Sequence, residues 1–301
     1  MIANALPHDL LSTLNGVRAL VLDADGVLMF AGRPLPGVVE AVTLLRTHRV
    51  PYRVVTNFSS MHRETLAARF SRAVDLQVNP VLIITAASAA AAHTARHHGG
   101  EPLFVLASPD ARREWDGQHL LTADEADEPG ARIGAVVIGD AGEELSFRNL
   151  DIAFRAVRGG AAFVAMHRNP WWVTPRGVTL DAGALVVGLE HALRRHATVT
   201  GKPSPVVFRQ AVRELASEIA AADARAPRLR KRDVVMVGDD PDSDIGGAHR
   251  AGLRGVLVLS GKVDAAAFGA AERAGKVRGA ARPDAVAEGV LAVVEALIGA
   301  R

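Results

Sequence analysis

Two aspartates one residue apart, Asp23 and Asp25, follow directly on a short apolar run, Ala19-Leu20-Val21-Leu22. Gly26 permits a turn there, so both carboxylates can face one pocket. Carboxylates that close repel each other unless a cation or a proton lies between them. A hard cation such as Mg²⁺ takes oxygen ligands and would resolve the conflict. One carboxylate can then act as nucleophile and the other as proton donor and acceptor. An Asx turn or a helix cap uses the same residue types, so this motif alone leaves both alternatives open.

Three further clusters carry related chemistry. Thr56-Asn57 follows a second apolar run and precedes Ser59 and Ser60. Hydroxyl, amide and backbone N–H groups at such a break suit a phosphate, although an ordinary N-cap has the same composition. In Gly201-Lys202-Pro203-Ser204-Pro205 the two prolines stiffen a turn and a first helical turn beside Lys202. An ammonium there can neutralise phosphate charge. The segment is not a phosphate-cradling P-loop, because His196 stands where that motif requires glycine. Gly238-Asp239-Asp240-Pro241-Asp242-Ser243-Asp244 places four carboxylates in six residues. Counted from Asp240 the twelfth position is Ala251, so this is not a calcium-binding helix–loop–helix. Asp239, at the end of its apolar run, is the best cation ligand. Asp244 suits holding Lys202 or a metal-bound water, and Asp242 suits a helix cap.

These clusters need a frame that brings them together. Short apolar runs at Ala19–Leu22, Arg53–Val55, Val234–Val237 and Val256–Leu259 alternate with amphipathic stretches at 37–48 and 245–251. That alternation predicts βαβ units and a parallel sheet. Ligands of such sheets bind beyond the carboxyl ends of the strands, which is where the acids fall. The expected fold class is α/β, a Rossmann-like parallel core with an inserted α/β domain. Its predicted boundaries are 1–80 and 197–301 for the core and 81–196 for the insertion. In the insertion, 103–106, 135–138 and 162–165 are expected strands, and 146–157 and 182–194 expected helices. The alanine-rich stretch 81–92 is expected to be a buried helix, and 285–298 the last helix. Alanine and arginine dominate 221–232, a stretch expected to be a solvated loop.

Composition narrows the partners. The 301 residues are 49% apolar, enough for a substantial core, with a formal charge of only +2. That balance supplies no case for nucleic acid or an anionic membrane. Cysteine is absent, which excludes disulfides, thiolate catalysis and Cys-ligated zinc and fits a reducing cytoplasm. The first residues lack the basic start and long apolar run of a secretory signal. His93, His97 and His98 invite a metal reading, but Gly99-Gly100 follows at once and a solvated helix end is the expectation. Neither Gly-x-Ser-x-Gly nor His-Glu-x-x-His occurs, so neither a serine hydrolase nor a zinc protease of those types is supported.

In this order the four clusters resemble the four motifs of the haloacid dehalogenase superfamily. Asp23 and Thr56 lie 33 residues apart, too close to enclose a large insertion, whereas Thr56 and Lys202 lie 146 apart. That spacing resembles class IIA, whose large cap follows the second motif. Gly139-Asp140-Ala141-Gly142 and Asp244-Ile245-Gly246-Gly247-Ala248 are most similar to the branch holding phospholysine phosphohistidine inorganic pyrophosphate phosphatases. The resemblance implies a Mg²⁺-dependent phosphatase with an aspartyl-phosphate intermediate. Asp23 would be the nucleophile and Asp25 the acid and base. Thr56, Asn57 and Lys202 would bind phosphate. The metal would be held by Asp23, the Asp25 backbone carbonyl and Asp239, with Asp244 in support. The substrate would be a small phosphorylated metabolite or phosphoamino acid, recognised through His167, Arg168, Trp171 and Trp172 in a loop of the cap. A homodimer through the cap is also implied. A phosphotransferase and a non-catalytic phosphoryl-binding scaffold are the rival readings on this fold.

Overall fold

The computed structural model describes residues 10–30, 32–174 and 177–300. These described residues divide into two compact units, one within 10–56, 67–84 and 202–300, the other within 57–66 and 85–201.

The first unit is built on a six-stranded sheet. Its order is Ala285–Ala287, Arg254–Val258, Val234–Gly238, Ala19–Asp23, Tyr52–Thr56 and Ile83–Thr85. The first five strands pair in parallel. Ala19 to Leu22 and Val234 to Val237 are completely buried, as strands covered on both faces must be. Register decides what emerges at the carboxyl edge. Leu22 lies opposite both Val237 and Val54, so Asp23 leaves its strand level with Gly238 and Val55, and Asp239 and Thr56 follow one residue further on the two adjacent strands. Helix Pro205–Ala222 packs on the Ala19–Asp23 and Tyr52–Thr56 strands, and helix Val38–Thr47 packs on Val290–Gly299.

The second unit carries a five-stranded parallel sheet. Its order is Thr198–Val199, Ala162–Ala165, Ala135–Ile138, Leu103–Leu106 and Leu120–Leu121. On one face the alanines of helix Ala86–His97 pack with Trp115 against Leu103 and Val105. Small side chains let that helix lie close to the sheet. On the other face Phe104 and Phe163 meet Ile152 and Val186 from helices Phe147–Arg158 and Ala182–Leu193. Among the described residues no helix is long and apolar enough to cross a membrane.

Three local expectations are corrected. The stretch 81–92 is not one helix: β-branched Ile83 and Ile84 form a strand, and Thr85 starts helix Ala86–His97 through a capping box with Ser88. Residues 285–298 hold the edge strand Ala285–Ala287 before helix Val290–Gly299 begins beyond Gly289. Trp171 and Trp172 are not in a loop. They open the Trp171–Thr174 strand of a hairpin with Gly177–Leu180, as aromatic and β-branched neighbours favour.

Candidate active site

At the carboxyl edge of the first sheet, the loop after Ala19–Asp23 folds back on itself. Gly26 N–H donates to Met29 O at 2.7 Å, and Leu28 and Met29 N–H both donate to Ala24 O. Gly26 has φ +77°, and a Cβ built on it would lie 1.9 Å from Asp239 Oδ2. Glycine is therefore needed twice there, for the turn and for room. Gly261 lies against Gly26 at the same point, and a Cβ on it would come within 2.2 Å of the same oxygen. Lys262 N–H donates to Asp239 Oδ2 at 2.6 Å, and Lys262 Nζ lies 2.5 Å from Asp240 Oδ2. Lys262 is a partner that the sequence reading missed. The available signal was its position just past the Arg254–Val258 strand, at the same edge as the acids.

The structure brings Asp23, Asp239, Asp244 and Lys202 together. All four are buried. Lys202 Nζ lies 2.6 Å from Asp23 Oδ1 and 2.7 Å from Asp244 Oδ1. Asp23 Oδ1 also accepts the Ala24 N–H at 2.6 Å. Both of these Asp23 contacts fall on the same carboxylate oxygen, Oδ1. Asp244 Oδ2 accepts the N–H groups of Asp239 and Asp240, so this carboxylate fixes both the lysine and the acidic loop. Asp242 does not cap the following segment: Asp240 does, accepting the N–H groups of Asp242 and Ser243.

Charge is out of balance in this cluster. Carboxylate oxygens of Asp23, Asp239 and Asp244 lie within 4.8 Å of one another, and the Lys202 ammonium pairs with two of the three. Burial pushes the Asp239 carboxyl up to about 6. Burial first, then Asp244, hold Asp23 well above the ordinary range, with Lys202 opposing. Burial works against the charge on Lys202, yet Asp23 and Asp244 together raise its pKa. The set is all oxygen, anionic and under-neutralised, which fits a hard divalent cation. Asp25 reaches solvent, but the protein packed around it still raises its carboxyl, against the pull of Lys202. Thr56 is buried as the last residue of its strand.

The remaining candidates lie in the second unit. Asn57 Oδ1 sits beside Gly201, where a Cβ would come within 2.6 Å of it. His167 is buried, with Nε2 3.0 Å from Ser59 Oγ and 3.7 Å from Asp181 Oδ1. Its Nδ1 accepts the Asn169 N–H at 3.3 Å, so the neutral ring carries its proton on Nε2. Burial favours that neutral form by lowering the pKa. A protonated nitrogen facing the hydroxyl cannot take its proton, so Ser59, His167 and Asp181 are not a nucleophilic triad. Arg168 pairs with buried Glu190 at 2.7 Å. Trp171 and Trp172 are exposed. The His93 and His97 rings lie 4.5 Å apart between centroids at a tilt of 41°, and His98 pairs with Glu101. None of the three belongs to a cluster of three or more potential ligands among the described residues.

Fold and site together define a Rossmann-like α/β protein with an oxygen-rich, cation-ready centre at the carboxyl ends of its strands. The profile of the "Haloacid dehalogenase-like hydrolase" family matches residues 20–120, and a second, HAD-hydrolase-like, matches 199–293. Haloacid dehalogenase-like hydrolase domain-containing protein 2 from Bos taurus is 31% identical, over 85% of this chain and 89% of that protein. The phospholysine phosphohistidine inorganic pyrophosphate phosphatase of Homo sapiens is 32% identical, over 83% and 85%. The p-nitrophenyl phosphatase from Archaeoglobus fulgidus superposes with a TM-score of 0.78 at 26% identity, over 93% and 99%. NagD from E. coli K-12 superposes with a TM-score of 0.74 at 25% identity, over 91% and 97%. This chain belongs to the haloacid dehalogenase-like hydrolases.

Proposed function

We propose that this chain is a Mg²⁺-dependent phosphatase that hydrolyses a small phosphorylated substrate through an aspartyl phosphate on Asp23. The observation that carries the proposal is the convergence of three buried carboxylates, two of them paired with one buried lysine, at the carboxyl edge of the sheet. Relatives named as phosphatases of p-nitrophenyl phosphate, phospholysine and phosphohistidine support the substrate class.

Asp23, Asp239 and the Asp25 carbonyl would hold the magnesium ion. When bound, it supplies neutralisation of charge on the phosphoryl oxygens. The protein's own groups do the rest. Lys202 and the Ala24 N–H bind Asp23 Oδ1 and so aim Oδ2. Oδ2 attacks phosphorus, and the leaving oxygen takes the proton of Asp25, whose raised pKa suits a donor. Asp25 then takes a proton from the water that attacks the aspartyl phosphate, releasing phosphate and restoring Asp23. Thr56, Asn57 and Lys202 orient the phosphoryl group. We assign leaving-group selection to the second unit as a cap domain, through the exposed rings of Trp171 and Trp172. His167 and Arg168 would act there by position, since Ser59 and Glu190 already engage them.

Turnover of p-nitrophenyl phosphate with Mg²⁺, with a chelator and with Asp23→Asn is the test. The expectation is free phosphate as product, no turnover with chelator, and a loss of about 10⁴-fold or more in the variant. Undiminished turnover by Asp23→Asn would falsify the nucleophile. A phosphorylated acceptor in place of free phosphate would make the chain a transferase.

A further inference from the structure

The acids of the cluster come from the ends of two strands, Ala19–Asp23 and Val234–Gly238, and the loops behind them. A third loop touches them, and none of its residues has a step in the reaction. It is the bend at 260–262, between strand Arg254–Val258 and helix Ala265–Arg273, all within the first unit. Ser260 Oγ donates to Gly26 O at 2.8 Å, which ties the bend to the loop behind Asp23. Lys262 N–H donates to Asp239 Oδ2 at 2.6 Å, and Lys262 Nζ lies 2.5 Å from Asp240 Oδ2. One residue therefore holds two neighbouring carboxylates, the first by its backbone and the second by its side chain.

The same Asp239 oxygen is closely surrounded. A Cβ on Gly26 would lie 1.9 Å from Oδ2, and one on Gly261 would lie 2.2 Å from it and 2.5 Å from Gly26 Cα. Two glycine backbones and one N–H thus enclose Oδ2. The other two carboxylates are restrained in the same sense. Asp23 Oδ1 takes Lys202 and the Ala24 N–H, and Asp244 gives Oδ1 to Lys202 and Oδ2 to two backbone N–H groups. Asp239 depends for its restraint on a loop that brings no acid to the site. Divalent cations differ in what they ask of a carboxylate. Mg²⁺ is small, demands near-octahedral geometry and keeps several of its waters, whereas Ca²⁺ takes more ligands in looser geometry and accepts both oxygens of one carboxylate.

We propose that the bend at 260–262 sets the cation preference of this site: the Lys262 N–H holds Asp239 to a single ligand oxygen, which suits Mg²⁺ and handicaps Ca²⁺. The inference rests on the reading of the acidic cluster as a cation site, and it adds a determinant from a loop outside the acidic ones. The Lys262 ammonium has a separate part. It balances Asp240, and its charge acts on both divalent ions alike.

Calorimetric titration of the metal-free full chain with Mg²⁺ and with Ca²⁺, without substrate, tests this through the ratio of the two dissociation constants. The variant that isolates the N–H carries an ester in place of the 261–262 peptide bond, made by placing the α-hydroxy analogue of lysine at 262. It loses the donor and keeps the side chain. The ratio should move about tenfold or more toward Ca²⁺, the usual weight of one hydrogen bond to a charged group. In Lys262→Gln, which keeps the N–H and loses the ammonium, the ratio should stay at the wild-type value. Wild-type crystals soaked in Ca²⁺ should show one Asp239 oxygen on the ion, and the ester both. Circular dichroism of the metal-free chains verifies that each folds. An unchanged ratio in the ester, an equal shift in Lys262→Gln, or both Asp239 oxygens on Ca²⁺ in the wild type each overturns the proposal and leaves the phosphatase reading intact. No Mg²⁺ binding by the wild type would overturn that reading and this proposal with it.

Discussion

At the scale of single residues, the site is a problem of uncompensated charge and close approach. Gly26 illustrates approach. A methyl group there would lie 1.9 Å from Asp239 Oδ2, on a backbone at φ +77°. Gly26→Ala should therefore displace Asp239 and weaken Mg²⁺ binding at least about tenfold, at a stability cost of about 1–2 kcal/mol. Titration of Mg²⁺ beside a denaturation curve separates the two, and wild-type Mg²⁺ affinity would refute the argument. Lys202 illustrates charge. Lys202→Met leaves Asp23 and Asp244 buried without their cation, a change that costs about 3–5 kcal/mol for such pairs. Burial already raises the Asp23 carboxyl, so its folded pKa exceeds its unfolded one. The folded state then binds the extra proton, and stability falls as pH rises from the unfolded value toward the folded one. Removing Lys202 raises that folded pKa further. Urea denaturation from about pH 5 to about pH 8 should show a deficit in Lys202→Met that widens with pH. A constant deficit would mean that packing, not charge, is lost. The acids and the lysine were legible in the sequence because each sits where an apolar run stops. Lys262 was not, because its contribution to Asp239 is a backbone N–H, which no side-chain pattern announces.

At the scale of elements, the sequence was readable where periodicity and length agreed, and misleading where composition masked a boundary. The runs at 103–106, 135–138 and 162–165 stand as strands because each is short and apolar, with a glycine, proline or polar residue within two positions of each end. The terminal stretch misled because Ala285-Val286-Ala287 continues the alanine and valine content of the helix behind it. Only Gly289 marks the break. What anchors that edge strand is a contact across elements. His249, on helix Gly246–Ala251, places Nδ1 2.7 Å from Ala280 O and Nε2 2.8 Å from Asp284 Oδ2. Both partners are acceptors, so both ring nitrogens must carry protons. Asp284 first raises the His249 pKa, although partial burial opposes it. Burial acts to raise the Asp284 pKa, but His249 and the Gly255 N–H outweigh it and hold the carboxyl below its ordinary value. The histidine term is fully present below its unfolded pKa of about 6.5 and disappears as pH rises through the raised folded value. The aspartate term is present above about 3.8 and disappears as pH falls through the lowered folded value. His249→Gln should therefore cost up to about 1 kcal/mol between about pH 4 and pH 6.5, and progressively less above that window. Thermal melts of both proteins across pH measure this, and a cost that grew toward alkaline pH would reverse the assignment.

At the scale of the whole molecule, the spacing of Thr56 and Lys202 points to an insertion, expected at 81–196. Residues 57–66, expected in the core, lie with the second unit. Their ties are side-chain bonds no periodicity encodes. Arg63 N, Nε and Nη2 all donate to Glu114, and Thr65 Oγ1 and the His62 N–H donate to Asp110. Each unit has its own parallel sheet and its own buried core, which predicts separable responses to a ligand that binds one of them. The three tryptophans of the chain, Trp115, Trp171 and Trp172, all fall in the second unit. Trp115 is completely buried, so its fluorescence reports loss of that core. The carboxylates that would hold Mg²⁺ all fall in the first. A ligand that binds only the folded form stabilises it by about 2.7 kcal/mol at a hundredfold excess over Kd. Both units contribute helix, so saturating Mg²⁺ should move part of the helical melt to higher temperature and leave the tryptophan midpoint nearly unchanged. In Asp239→Asn the shift should vanish from both signals, because the ion loses a ligand oxygen and half its reason to bind. Equal shifts in both signals of the wild type would mean that the units melt as one cooperative block, whatever their separate cores suggest.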